Sequence, residues 1–130
     1  MAEGIFKKLF GRKIFVQSAG VFDTLEIDGF TVRVCDEIDV KLSKHRVRSL
    51  VEMEKQGGFT GSFDLVISLT KESLIEVQKY ATFSSVDIEN WIVEEPLKDE
   101  NNINQTLCSY RKTRDIIFDK INKRFQHHFS

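Results

Sequence analysis

The sequence predicts an α+β fold: an antiparallel sheet of about four to five strands, with a short N-terminal helix, one middle helix and a long C-terminal helix packed mainly on one face. Three observations predict it. Two stretches, residues 21–42 and 59–69, alternate apolar and polar side chains with the period of a half-buried strand. An Asp28-Gly29 pair sits between two alternating runs, where a type I′ turn needs positive φ at both central positions. Apolar residues recur at helical spacing near the start, in the middle and over the last quarter. At 130 residues the chain suits one domain: an amphipathic helix in 1–13, a strand-rich part in 14–69 and helix-strand-helix in 70–130.

Residues Ala2 to Arg12 read as an amphipathic helix. Ile5, Phe6, Leu9 and Phe10 share one side, Lys7, Lys8 and Arg12 lie largely off it, and Gly11 ends it. In the hairpin that follows, Ile27 pairs with Phe30 and Leu25 with Val32 on one face. The second strand runs on to Leu42 with Val34, Ile38 and Val40 in the apolar row, and strict alternation places the Asp36 carboxylate in that row. Ser43 to Gln56 fits either a helix capped by Ser43 or a strand, and the strand is taken here. Gly57-Gly58 then fits a hairpin loop or a helix stop equally well, and Phe59 to Leu69 forms a strand needing an antiparallel neighbour.

Thr70 starts a helix with Leu74, Val77 and Ala81 as its stripe. Val86 to Glu95 is a strand stopped by Pro96, and Leu97 to Asn102 is a polar loop. The last helix spans Ile103 to Gln126, with Ile103, Leu107, Tyr110, Ile117, Phe118, Ile121 and Phe125 as its stripe and Arg114 near the stripe's middle. This element order resembles that of small α+β chaperones of bacterial secretion systems, a resemblance of order alone that implies a protein-binding role.

Several chemistries find no foothold. Gly57-Gly58-Phe59-Thr60-Gly61 has glycines but lacks the Lys and helix start of a phosphate-binding loop. Cys35 and Cys108 are 73 positions apart, outside any CxxC pattern, and read as two free thiols. His127 and His128 are adjacent, so they diverge on a helix, and no zinc spacing is present. Cys35 beside His45 is a conceivable nucleophilic pair, but nothing in the spacing requires it. No catalytic residue, metal or cofactor is assigned. Asp36 with Arg114 is the candidate buried ion pair, set against a bulge at Cys35-Asp36 that turns the carboxylate outward and an Arg114 stem packed along the apolar surface; a ligand-binding or catalytic centre at Asp36 is an alternative function.

The formal charge of −1 hides a polarised chain. Residues 1–13 carry +3, residues 14–100 carry −8 and residues 101–130 carry +4. The acidic middle opposes nucleic acid, and the aromatics of the last helix lie on its packing stripe rather than on a stacking platform. The leading expectation is a small non-enzymatic protein-binding module: an adaptor, a secretion-chaperone-like protein or an immunity-type inhibitor. Another protein is the expected partner, with a second copy of the chain as one option. The alternative is docking on an anionic membrane through Ile5, Phe6, Lys7, Lys8, Leu9, Phe10, Arg12 and Lys13. The first fifteen residues lack an apolar signal-peptide segment, so the sequence predicts a cytoplasmic, or membrane-peripheral, protein.

Overall fold

A hydroxyl, an amide or a carboxylate begins each of four helices in a computed structural model of the chain, which describes residues 1–11, 13–20, 28–42, 48–55, 63–80, 86–99 and 101–127. Among them are five helices and two strands: α1 (Ala2–Phe10), α2 (Gly29–Asp36), α3 (Leu50–Lys55), β1 (Leu65–Ser68), α4 (Lys71–Tyr80), β2 (Asp87–Asn90) and α5 (Ile103–Phe125). The chain divides into two compact units. The first holds Met1–Ser18, Glu26–Arg46 and Glu95–Ser130; the second holds Ala19–Leu25 and Val47–Glu94.

The spine of the first unit is α5. Asn102 caps it, its side-chain oxygen accepting from the Gln105 amide at 3.0 Å. Its buried stripe is Thr106, Leu107, Tyr110, Arg114, Ile117, Ile121 and Phe125, at the i, i+3, i+4 spacing of one helical face. Both α1 and α2 pack against it. On α1, Ile5 and Phe6 are buried, and the Phe6 ring lies 4.8 Å from that of Phe125. Gly4 lets α1 approach the following chain closely: a Cβ there would stand 2.7 Å from Val40 Cγ1 and 2.8 Å from Leu42 Cδ2, both on buried residues.

The expected hairpin is corrected by α2. Asp28 is not a turn residue but an N-cap: its Oδ1 accepts from the Phe30 amide at 3.0 Å. Tyr110, 82 positions away, donates its hydroxyl to the other carboxylate oxygen. Phe30 and Val34 satisfy period two but also lie four apart, on one helix face, and that face packs on Leu107 and Tyr110. The strand expected to run to Leu42 is therefore a helix to Asp36, closed by a left-handed turn. Asp39 has φ 60°, Val40 N donates to Cys35 O at 2.9 Å and Asp39 N to Asp36 O at 3.1 Å, the Schellman pattern. The hairpin's first strand, Val21 to Ile27, lies outside the described residues, as do Arg12, Ser43–Val47, Gln56–Ser62, Ala81–Ser85, Glu100 and His128–Ser130.

The second unit holds a two-stranded parallel sheet, not an antiparallel one of four to five strands. The pairs are Leu65–Asp87, Val66–Ile88, Ile67–Glu89 and Ser68–Asn90. The reason is the connection: α4 joins the strands, and a helical crossover returns the chain in the same direction. Beyond the strands, Trp91 N donates to Ser68 O and Val93 N to Leu69 O. Thr70 begins α4 as its sequence implies: Thr70 Oγ1 accepts from Ser73 N while Ser73 Oγ accepts from Thr70 N, two amides satisfied reciprocally. Leu50–Lys55 is helical, against the strand taken for 43–56, because the Ser49 hydroxyl caps it and Leu50 and Met53 turn to one side. Leu50 and Val77 centre a cluster with Phe63, Val66, Tyr80 and Ile88. With α2 and α3 helical, the element order no longer carries the resemblance to secretion chaperones.

Candidate functional site

The candidate site residues of the first unit fall into three places. The first is α1. Ile5 and Phe6 are buried, and Leu9 and Phe10 are half-buried. Phe10 also lies in ring contact with Phe125, at 6.4 Å. Lys7 pairs with buried Glu3 at 3.0 Å, and Lys8 donates to the Ile38 carbonyl. Lys13 is exposed, and Arg12 is outside the described residues. The apolar side that would enter a lipid surface is thus spent on α5. Among the described residues no helix is long and apolar enough to cross a membrane.

The second place is the junction of α2 and α5. The Asp36–Arg114 pair is not formed. Asp36 is exposed and pairs with Lys41, because its helix turns it outward, away from α5. Arg114 is buried as its place on the stripe implies, and it engages the next residue along. Its NH1 donates to Glu37 Oε1 at 2.8 Å and to the Val34 carbonyl at 2.8 Å, while its Nε donates to Asp115 at 2.9 Å. Arg111 grips Glu37 from one turn earlier, with Nε at 2.9 Å from Oε1 and NH2 at 2.7 Å from Oε2. Two guanidiniums therefore hold one carboxylate at the end of α2. The Arg111 hydrogen bond above all, with that of Arg114 beside it, lowers Glu37 from its ordinary 4.5 to about 2. A Glu37 that stays ionised until the pH nears about 2 is a fastener and a poor general acid.

This fastening sets a pH dependence. Because Glu37 is depressed in the folded chain, its contribution is fully present above about pH 4.5 and is lost as the pH falls from there towards about 2. Urea unfolding midpoints should drop over that window in the wild type, and Glu37→Gln should flatten the drop. An unchanged slope in the variant would assign acid sensitivity to other carboxylates.

The neighbours of this junction are held too. Burial, then the hydrogen bond to Asp28, pushes the Tyr110 hydroxyl up to about 12. Cys35 is buried, and that burial pushes its thiol up, the opposite of what activates a nucleophile. Cys108 is exposed on α5. His45, the imagined partner of Cys35, lies outside the described residues. Among the described residues no three His, Cys, Asp or Glu side chains gather as metal ligands would.

The third place does not stand out in the sequence. Residues 95–99 lie along the first half of α5, where Leu97 N donates to Ser109 Oγ at 2.7 Å. Asp99 N donates to Thr106 Oγ1 at 2.8 Å, and that hydroxyl returns its proton to Asp99 O. Lys98 turns the other way, its ammonium 5.6 Å from the Phe30 ring centre. Leu97 is left 73% exposed between exposed Glu95 and Asp99. Two helical turns beyond Ser109, on the same outward line of α5, Ile116 is 42% exposed. Lys112 and Lys120 flank it one turn either side, exposed and in no ion pair with a described residue. The available signals were simple: a leucine inside a polar loop, and an isoleucine off the apolar stripe of its helix. No protein-family model matches the chain, and no curated protein matches it.

Proposed function

We propose that the chain is a small non-enzymatic protein-binding module that recognises its partner through the outward face of α5 and the strap laid on it. One observation carries the reading: Leu97 and Ile116 are both exposed on that face, Leu97 beside Glu95 and Asp99 and Ile116 beside Lys112 and Lys120. A hydrophobic anchor inside a charged rim is the anatomy of a protein interface, in which the apolar centre supplies affinity and the rim supplies orientation. The occupied apolar side of α1 favours protein over an anionic membrane as the partner.

Site-specific photo-crosslinking in cells tests this. Benzoylphenylalanine is placed at position 116 or 97 of the full chain, with position 126 as an exposed control. A discrete protein adduct from 116 and 97, absent from 126, supports the reading. Normal expression with no protein adduct from either position overturns it.

A further inference from the structure

We infer that the partner of this face is a second copy of the chain, docked about a two-fold axis that crosses α5 between Ser109 and Ile116. This rests on the protein-binding reading above and names the partner of the same face. The argument is self-complementarity. A two-fold interface requires each surface to carry both halves of the contact, so that residue i meets j where j meets i. This face carries both halves side by side. Leu97, pinned at Ser109 by its 2.7 Å hydrogen bond, stands between Glu95 and Asp99. Ile116, two turns along the same line, stands between Lys112 and Lys120.

With two α5 helices antiparallel, Leu97 of each copy covers Ile116 of the other. Asp99 of each strap, fastened at Thr106, then meets Lys120 of the other copy. Two apolar contacts and two Asp99–Lys120 pairs form at once, while the two Lys112 side chains lie beside the axis. A parallel arrangement would set lysines against lysines and carboxylates against carboxylates, which disfavours it. The strap is already fastened by Ser109 and Thr106 and α5 is a long regular helix, so little ordering is needed on docking.

Sedimentation velocity of the purified full chain, from micromolar to near-millimolar concentration, reads the result. The wild type is expected to pass from monomer to dimer, with the transition moving to higher concentration as salt screens the rim. Leu97→Asp and Ile116→Asp should each raise the dimer Kd about tenfold or more, with far-UV circular dichroism unchanged. A charge exchange is more stringent. One variant carries Lys112→Glu and Lys120→Glu; a second carries Glu95→Lys and Asp99→Asn, the latter keeping the oxygen that accepts from Asn101. Each should be monomeric alone, and a mixture of the two should form the heterodimer, which misfolded chains would not do. A wild type monomeric throughout, or a dimer indifferent to all these substitutions, overturns the inference. A crosslink from position 116 to a different protein, with the chain monomeric, overturns the dimer while leaving the protein-binding reading in place.

Discussion

Arg114→Ala is expected to lower the stability of the unit built on α5 by about 2–3 kcal/mol, read from urea unfolding followed by far-UV circular dichroism. Two losses make up the figure. The Val34 carbonyl, a buried acceptor at the end of α2, loses its 2.8 Å donor, which costs on the order of 1–3 kcal/mol. The aliphatic stem of a side chain only 10% exposed also leaves its place on the stripe. A fully buried ion pair broken on one side would cost more, about 3–5 kcal/mol, because a bare charge is stranded in the interior. That does not apply here: Glu37 sits at the surface, and Arg111 still holds it by two nitrogens. Arg114→Met separates the two losses. It keeps the stem and loses the donor, so it should fall between wild type and Arg114→Ala. A methionine variant as unstable as the alanine one would mean that the Val34 and Glu37 hydrogen bonds carry the whole effect. Equal stability of all three would remove the junction from the account of this fold.

The bounds of α5 are legible in the sequence because its stripe repeats over six turns, although Ile103, expected on that stripe, is 57% exposed at the helix start. The start of α4 was legible for a similar reason: a Thr followed by a helical stripe has one good interpretation. Residues 28–36 were not legible, because the local signals point the wrong way. Thr31, Val32 and Val34 favour strands, and Asp-Gly favours a hairpin. What reverses them is Tyr110, 82 positions away, which binds Asp28 and offers Phe30 and Val34 an apolar surface. Parallel pairing was within reach, since strand, helix, strand in that order implies a crossover. Arg114 stands out in the sequence by its place on an apolar stripe. Its partner is not legible: a regular strand puts Asp36 inward and a bulge turns it outward, whereas α2 puts it outward and leaves Glu37 at the helix end. Leu97 and Ile116 do not stand out in the sequence because an exposed apolar residue is ordinary by itself. They become informative only when the strap sets them on one line.

Ile5→Ala should cost about 3 kcal/mol, the usual range for emptying a buried isoleucine being about 2–5 kcal/mol. Ile5 is fully buried, and α1 packs on α5 through the neighbouring Phe6–Phe125 contact. The same substitution decides between the two uses of an amphipathic helix. If the apolar side of α1 were held for lipid, Ile5→Ala would leave the unfolding midpoint in place and weaken liposome co-sedimentation. A docked helix reverses this: the midpoint falls, and liposomes of any charge retain neither protein. The single tryptophan adds a second reading, since Trp91 belongs to the other compact unit. Its emission follows the β1–β2 unit, whereas most helical signal comes from α1, α2 and α5. Coincident transitions by fluorescence and circular dichroism, both shifted by Ile5→Ala, would mean that the two units unfold as one. A dichroism transition shifted alone, with the Trp91 transition unmoved, would mean that the helical unit carries its own stability, and that an interface on α5 stabilises that unit without reaching the parallel strands.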